Sequence, residues 1–428
     1  MSDATRLTLR GGRVIDPASG TDTVADVRVE DGRIVAIGPL PDHGDGEVLD
    51  VRGRWVLPGL VDLAGQVGSP DALSRRELQA AAAGGITQLG VMPAPAAGWD
   101  NPAVIGRLRD GARALGLLRL APVGALTAGL GGEQLAELGL LRRAGCRLVG
   151  QGGQPIGARV LRRGLEYAHG HGLTAVIDAE DAELAGDGCV HEGAVGVQLG
   201  LTGIPVAAEV TALSRALALA TACQARVHVH GVSSAAGVAL LRAAKAAGLA
   251  VTADTPVWNL HFTDEDIGAY APAFHLRPPL REAGDRAALR AALADGTLDA
   301  VCSDHRAVDG EAKRRPFARC TPGAAGFEAL LALVLELVDA GEVPLRRALA
   351  ALTSEPGTIL GDGGRLSAGA VADLCVVDPQ ARWTVDAASW HSAGQCTPAW
   401  GRTLRGRVTL TLLGGRTVYR LSENSHDR

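Results

Sequence analysis

The sequence has few aromatic residues, no cysteine pair motif and no basic block. Aromatic residues make up 3% of its 428 residues, which disfavours a stacking platform for single-stranded nucleic acid. The formal net charge is −5, so we expect neither a nucleic acid nor an anionic membrane surface as a partner. The seven cysteines are scattered without a CxxC motif, a pattern typical of reduced thiols in a cytosolic protein.

Long apolar segments are also missing from the sequence. The N-terminal stretch MSDATRLTLRGG has no apolar signal core, and no uninterrupted apolar run approaches the length of a membrane span. Hydrophobic residues nevertheless account for 47% of the chain, enough for a sizeable core. We therefore expect a cytoplasmic globular protein.

Both ends of the chain are rich in predicted β-strands. TVADVRVEDGRIVAIG alternates apolar and polar residues around Asp31-Gly32, which is typical of a hairpin. Near the other end, GAVADLCVVDP and GRVTLTLLGGRTVYRL have the same character. These patterns predict a small composite β-sandwich domain built from residues 1–55 and 365–428.

The central segment, residues 56–364, alternates short apolar strands with Ala/Leu-rich helices. ITQLGVM, CRLVG and LDAVCSD are examples of its strands, and AAGVALLRAAKAAG is one of its helices. This alternation predicts a TIM-like (β/α)8 barrel of the α/β class. A doubly wound sheet also fits the alternation, but no GxGxxG motif opens a helix after the first strand.

In such a barrel, catalytic groups stand at the C-terminal ends of the strands. The first of these ends, VLPGLVDLAGQVGSP, offers Ala64, Gly65 and Gln66 where a metal site would offer imidazoles. Later strand ends supply candidate ligands: Asp178, Glu180, Asp181, His228, His230, Asp254, Asp304 and His305. His228 and His230 share one face of a strand. Without an evident third and fourth ligand, two satisfied core histidines are the favoured interpretation.

Several framework motifs together resemble those of the dihydroorotases, within the cyclic amidohydrolase superfamily. They include VLPGLVDL, AAAAGGIT, HEGAV, ARVHVHGVSS, SDH and GRLSAGAVADLCVVDP, and they extend over nearly the whole chain. The resemblance implies a zinc-dependent (β/α)8 barrel with a flanking β-sandwich, in agreement with the strand and helix pattern.

Carried over position by position, the resemblance implies that this chain has lost the family's metal ligands. The former metal positions are Ala64, Gln66, Gln151, Gly152, Asp178 and Gly231. Asp304 matches the family's general acid/base carboxylate and is retained as a vestige. We therefore expect no bound metal and no other cofactor, although the family implies zinc, because one carboxylate alone does not activate water at neutral pH.

The resemblance also implies that the substrate contacts have changed. The former substrate positions are Gly68, Ala94, Arg277 and Val308. His230 stands one residue before the former ligand position Gly231, so on a regular strand we expect it to face away from the site.

The main hypothesis is a catalytically inactive dihydroorotase homologue, not an enzyme. By resemblance, its partner would be the catalytic chain of aspartate transcarbamoylase, within a hetero-oligomer of de novo pyrimidine biosynthesis.

Two other hypotheses stay open. The alternative is a metal-dependent cyclic amidohydrolase of dihydroorotase or hydantoinase type, with a rebuilt mononuclear site formed by Asp178, His230, Asp304 and His305. A third is a protein that binds a small ligand at the barrel mouth without converting it, with Arg277 and His305 as anion contacts.

Overall fold

The computed structural model describes residues 6–40, 46–95, 97–361 and 363–422. The strands of this part are β1 (Arg6–Asp16), β2 (Thr21–Glu30), β3 (Arg33–Gly38), β4 (Glu47–Asp50), β5 (Trp55–Pro58), β6 (Leu60–Asp62), β7 (Gly68–Ser69), β8 (Ala72–Leu73), β9 (Ile86–Val91), β10 (Arg119–Ala125), β11 (Leu148–Gly150), β12 (Thr174–Asp178), β13 (Val190–His191), β14 (Gly203–Ile204), β15 (Val227–His230), β16 (Val251–Pro256), β17 (Ala300–Cys302), β18 (Leu374–Thr384), β19 (Thr403–Leu413) and β20 (Arg416–Arg420). The α-helices are α1 (Arg75–Ala83), α2 (Pro102–Leu115), α3 (Leu138–Ala144), α4 (Ala158–Gly170), α5 (Ala182–Ala185), α6 (Ala194–Leu199), α7 (Val206–Cys223), α8 (Ala235–Ala246), α9 (Val257–His261), α10 (Ala283–Asp295), α11 (Gly310–Lys313), α12 (Leu330–Asp339), α13 (Leu345–Ala350) and α14 (Ser354–Leu360).

Local sequence signals fix the ends of the helices that surround the barrel. The Asn101 side chain accepts a hydrogen bond from the Ala103 N–H, and Pro102 is the first residue of α2. The helix ends at Gly116, whose φ of 65° lies in the left-handed region. An Asn cap, a proline at the first position and a C-terminal glycine are the standard signals that bound a helix.

The central segment forms the predicted barrel. Eight parallel strands follow the order β6-β9-β10-β11-β12-β15-β16-β17. The first and last strands approach each other through a parallel bridge between Gly65 and His305, so the barrel is nearly closed. This confirms the predicted (β/α)8 fold class over the doubly wound alternative.

The two ends of the chain combine in one sheet, as their strand patterns indicate. The order of this eight-stranded sheet is β3-β2-β1-β5-β18-β19-β20, with β4 paired to β1. β5 pairs antiparallel with β18, so the segment that leads into the barrel is itself part of the terminal sheet. The division of the chain into domains at residues 55/56 and 364/365 stays a prediction.

Helix α7 is apolar and is long enough, by length and composition alone, to cross a membrane. In the fold it contacts α4, α5 and α8. It buries Ala212, Leu213 and Ala216 against them, which accounts for its composition as a core helix. A cytoplasmic location stays a prediction.

One buried histidine outside the barrel mouth has an unusual environment. The side chain of His261, at the end of α9, is 6% exposed. Its Nε2 atom has no hydrogen-bond partner among the described residues. Burial, assisted by the nearby charges of Arg402 and Arg290, lowers the pKa of His261 to about 3. The folded protein therefore holds this imidazole neutral at mildly acidic pH.

We expect His261 to make the fold sensitive to acid. Between pH 7 and pH 5 the unfolded chain protonates this histidine and the folded chain does not, so the free energy of unfolding falls by up to about 2 kcal/mol. His261→Gln should remove this part of the pH dependence in urea unfolding at the two pH values. His169→Gln, which changes an exposed histidine, is the control and should behave as the wild type. An unchanged pH dependence in His261→Gln would contradict the assignment.

Candidate metal centre at the barrel mouth

The C-terminal ends of the barrel strands surround a cavity of about 450 Å³. Most of the positions singled out in the sequence lie on its wall: Ala64, Gln66, Ala94, Gly152, Asp178, Gly231, Arg277 and Asp304. The cavity is thus formed where the strand ends predict a site. Its volume lies in the range of small-molecule binding sites.

Three of the former metal and substrate positions are not among the described residues that line this cavity. Gly68 lies in the β7–β8 hairpin. Gln151 is buried and turns away from the mouth, since it accepts a hydrogen bond from the Thr127 hydroxyl and donates one to the Leu130 carbonyl. Val308 lies in the loop after His305, where its N–H bonds to the Arg306 carbonyl.

A fully buried carboxylate, Asp254 of β16, organises the floor of the site. It contacts His228 Nε2 at 3.0 Å and His230 Nδ1 at 2.9 Å, and it accepts a hydrogen bond from the Gly231 N–H at 2.9 Å. Burial alone would raise the pKa of Asp254, but the charge of His230 and the hydrogen bonds from both histidines hold it well below its usual range. Asp254 is therefore an anion compensated by its neighbours.

The two histidines of β15 have different roles. Both ring nitrogens of His228 are engaged, one by Asp254 and the other by the Thr252 hydroxyl at 2.9 Å. His230, in contrast, lines the cavity as well as contacting Asp254. Burial alone would lower the pKa of His230, but the carboxylates of Asp254, Asp304 and Asp178 raise it to about 9.

The expectation that His230 faces away from the site is wrong. β15 ends at His230, and Gly231 after it has a φ of 79°, so the alternation of a regular strand does not extend to Gly231. His228 and His230 keep the shared face that their spacing predicts, and both reach Asp254. The expectation of two satisfied core histidines describes His228 alone.

Three donor atoms meet beneath the cavity. A ring nitrogen of His230, a carboxylate oxygen of Asp254 and the Sγ atom of Cys302 lie within 4.8 Å of one another. The Cys302 thiol also contacts the Asp254 carboxylate at 3.7 Å. Cys302 was not singled out in the sequence, where it is one of seven scattered cysteines, because its partners come from two other strands.

This donor set fits a single zinc ion. Imidazole nitrogen, carboxylate oxygen and thiolate sulfur are all zinc ligands, and three protein ligands leave one position for water. Burial raises the pKa of the Cys302 thiol well above its ordinary value, and the negative charges of Asp254, Asp62 and Asp304 raise it further. A bound cation would reverse this effect: it would favour the Cys302 thiolate and displace the proton that the raised pKa places on His230.

Asp304 and Asp178 complete the acidic wall of the cavity. Asp304 follows β17, lies 7% exposed, and contacts the Arg306 guanidinium at 3.5 Å. Burial raises the pKa of Asp304, although Arg306 and His230 act in the opposite direction. Asp178 accepts a hydrogen bond from the Gly153 N–H at 2.8 Å.

Asp62 of β6 fixes the end of β17 and thereby the two residues on either side of Ser303. Its carboxylate accepts hydrogen bonds from the hydroxyl and the N–H of Ser303. Burial raises the pKa of Asp62 to about 7, against the lowering effect of these hydrogen bonds. The contact spans the first and last barrel strands, so it holds Cys302 and Asp304 in position.

His305 belongs to the core and not to the donor set. Its Nε2 atom lies 2.9 Å from a Glu77 oxygen, and its Nδ1 atom accepts a hydrogen bond from the Gly326 N–H. The ring stacks on Phe327 with 3.7 Å between centroids. The site proposed from the sequence therefore shares only His230 with this donor cluster, whose other members are Asp254 and Cys302.

The chain matches the models of two protein families. One described as "Dihydro-orotase-like" matches residues 53–236, and one described as "Amidohydrolase family" matches residues 187–418. The second match covers more than half of the chain. The chain therefore belongs to the amidohydrolase family.

Relatives that match over the whole length of the chain indicate which branch of this family it belongs to. The chain is 41% identical to "Dihydroorotase" of Anaeromyxobacter dehalogenans, with both chains covered completely. It is 42% identical to "Dihydroorotase-like protein" of Pseudomonas aeruginosa, over 96% of this chain and 99% of the relative. It therefore belongs to the dihydroorotase family. Dihydropyrimidinase from Brevibacillus agri has the same fold, with a TM-score of 0.84 at 22% identity over 97% of this chain and 95% of that structure.

These findings correct two expectations from the sequence. The expectation that the chain is not an enzyme is contradicted by relatives named dihydroorotase along its whole length and by the donor cluster. The expectation of no cofactor is contradicted by the family match and by the same cluster of His230, Asp254 and Cys302. Both expectations counted ligands only at the family's positions, whereas this cluster lies at other positions.

Replacement of His305 should destabilise the fold without removing metal. His305→Gln breaks a buried pair with Glu77 and the stacking on Phe327, so we expect a loss of about 3 kcal/mol in urea unfolding. His171→Gln, at an exposed position, should leave stability unchanged. Zinc content measured on the folded variant should equal that of the wild type, and zinc loss with unchanged stability would contradict the structural role.

Proposed function

We propose that this chain is a metal-dependent cyclic amidohydrolase of dihydroorotase or hydantoinase type with a mononuclear site. The observation that carries the proposal is the donor set of His230, Asp254 and Cys302, one member of which also lines the barrel-mouth cavity. The names of the whole-chain relatives support a cyclic amide as the class of substrate.

The metal ion would be held by His230, Asp254 and Cys302. His228 would position Asp254 through the contact between its Nε2 atom and the carboxylate. A metal bound there supplies an activated water and polarises the amide carbonyl. The family positions Ala64 and Gln66 offer a methyl group and a neutral amide to the cavity, so the proposed site uses one ion, as three donors allow.

Asp304 is the proposed proton carrier. Its carboxylate stands on the cavity wall within reach of bound ligands, and its raised pKa brings the protonated form closer to neutral pH. A carboxyl group with this property accepts a proton from the nucleophile and returns it to the leaving nitrogen. Arg306 beside it holds the carboxylate and limits the rise of its pKa.

The opposite wall of the cavity supplies polar groups that orient a substrate. Arg277 forms an ion pair with Glu180, and its side chain is 40% exposed. Arg277 also lines the cavity, and a guanidinium has more N–H donors than the pair with Glu180 uses. The small residues Ala64 and Gly152 leave room for a ring between these groups.

The catalytic test compares two buried cysteines. Zinc-loaded wild type should hydrolyse at least one of dihydroorotate, dihydrouracil and hydantoin, and Cys302→Ser should lower kcat/KM by roughly tenfold or more, as loss of a metal-site interaction does. Cys375→Ser, which changes a buried thiol of β18 in the terminal sheet, is the matched control and should keep the activity. Zinc-loaded wild type inactive on all three substrates would refute the proposal.

We also propose that the chain assembles with the catalytic chain of aspartate transcarbamoylase, as the sequence resemblance implies. An exposed apolar surface supports an interface. Val197 of α6 is 81% exposed, and the half-exposed Tyr270 donates a hydrogen bond to the Leu199 carbonyl at the end of the same helix. Exposed apolar patches mark protein interaction sites, and we place the proposed interface on these two side chains.

Assembly is tested by mixing the two purified chains. Size-exclusion chromatography with light scattering should show a mixed oligomer, and Val197→Glu should weaken it because it places a charge on the apolar surface. Val24→Glu is the control, since Val24 is 72% exposed on β2, away from α6. Separate elution of the wild-type chains would contradict the proposal.

A further inference from the structure

A second cavity lies at the opposite end of the barrel and is lined by arginines. Its volume is about 310 Å³. The arginine side chains on its wall are Arg109, Arg113, Arg119, Arg147 and Arg416. We refer to it as the arginine cavity.

The arginines come from separate elements that meet at the N-terminal face of the barrel. Arg119 begins β10, Arg147 directly precedes β11, and Arg416 begins β20 of the terminal sheet. Arg109 and Arg113 stand one turn apart on α2 and therefore share a helix face. The fold thus brings together residues that are distant in the sequence, at the end remote from the proposed metal centre.

Glycines allow three of the guanidinium groups to lie directly against the backbone. A Cβ atom added at Gly145 would lie 1.9 Å from Nη1 of Arg109. One at Gly361 would lie 3.3 Å from Nε of Arg147, and one at Gly414 would lie 3.6 Å from Nη2 of Arg119. A Cβ atom at Gly145 would require the Arg109 side chain to move, and one at Gly361 would require only a small shift of Arg147.

Positive charge exceeds negative charge in the arginine cavity. Of the five arginines, Arg113 forms an ion pair with Asp110, and Arg119 forms one with Asp373. Arg147 and Arg416 form no ion pair with any carboxylate of the described residues, and no described acidic side chain lines the cavity. The chain has a net charge of −5, so the positive charge of this cavity is opposite in sign to that of the chain as a whole.

The partial negative charges of nearby helix C-termini compensate only part of the excess positive charge in the arginine cavity. The C-terminal caps of α2 and α3, Gly116 and Gly145, lie at the cavity, and each helix end carries roughly half a negative charge. Arg109 donates a hydrogen bond to the Ala144 carbonyl at 2.7 Å and so serves the end of α3. Arg147 and Arg416 are exposed.

We propose that the arginine cavity binds a small molecule that carries a chain of two or three phosphoryl groups. Guanidinium groups bind phosphate oxygens in a bidentate manner, and several such groups around one concave site favour a polyanion over a single phosphate. No aromatic ring lines the cavity among the described residues, so recognition is expected to centre on the phosphates and not on a stacked base.

The test measures binding by calorimetry, with inorganic tripolyphosphate, pyrophosphate, phosphate and ATP as probes. Wild type should bind tripolyphosphate at least tenfold more tightly than phosphate, and less tightly at high salt. Tighter binding of ATP than of tripolyphosphate would assign the site to nucleotides, and the reverse order would assign it to the free phosphate chain. Each order supports a polyphosphate site.

A double variant locates the site. Arg147→Gln with Arg416→Gln should weaken tripolyphosphate binding at least tenfold, and should leave the melting temperature and zinc content unchanged because both side chains are exposed and remote from the barrel mouth. Arg159→Gln with Arg163→Gln on α4 changes the charge equally, away from the cavity, and should bind as the wild type. The proposal would be overturned if the wild type showed no saturable binding of tripolyphosphate. It would also be overturned if the two double variants bound tripolyphosphate equally. Binding of a polyglutamate peptide in place of tripolyphosphate would overturn it in favour of an acidic protein segment.

Discussion

The buried carboxylate of Asp254 is the group on which the barrel mouth depends. A fully buried charge is unfavourable unless neighbouring groups compensate it. Here two imidazoles, one backbone N–H and a thiol surround it. Because these partners come from β15 and β17 as well as from the turn after β15, the position of Asp254 fixes the relative positions of His230 and Cys302. The three donor atoms lie close together because His230 and Cys302 both contact the Asp254 carboxylate.

The fold does not depend on the side chains at the family's metal positions. Ala64 and Gln66 lie on the cavity wall, yet the contact between Asp62 and Ser303 still connects the first and last strands. Stability resides in the packed barrel interior and in buried pairs such as Glu77–His305. Side chains at the strand ends therefore change without loss of the fold. The opposite face, with its arginine cavity, is separate from these positions.

The sequence predicts the fold well and the site only in part. Alternating strands and helices predict the barrel because hydrophobic periodicity is a local signal. Strand ends predict that Asp178, Asp304 and Gly231 line one cavity, because parallel strands place these ends together. The orientation of His230 is not predicted, since the left-handed conformation of Gly231 interrupts the alternation. Cys302 is not predicted either, because its role depends on the distances between side chains of three strands.

The most direct test of the account is the zinc content and ligation of the purified wild-type chain, by mass spectrometry and X-ray absorption. The account predicts about one zinc ion per chain, with one sulfur ligand at roughly 2.3 Å and nitrogen and oxygen ligands at about 2.0–2.2 Å. It also predicts that Asp254→Asn loses this ion, whereas Asp304→Asn keeps it. Less than about a tenth of an equivalent in the wild type, after growth with added zinc, would leave no metal to activate water and would contradict the account.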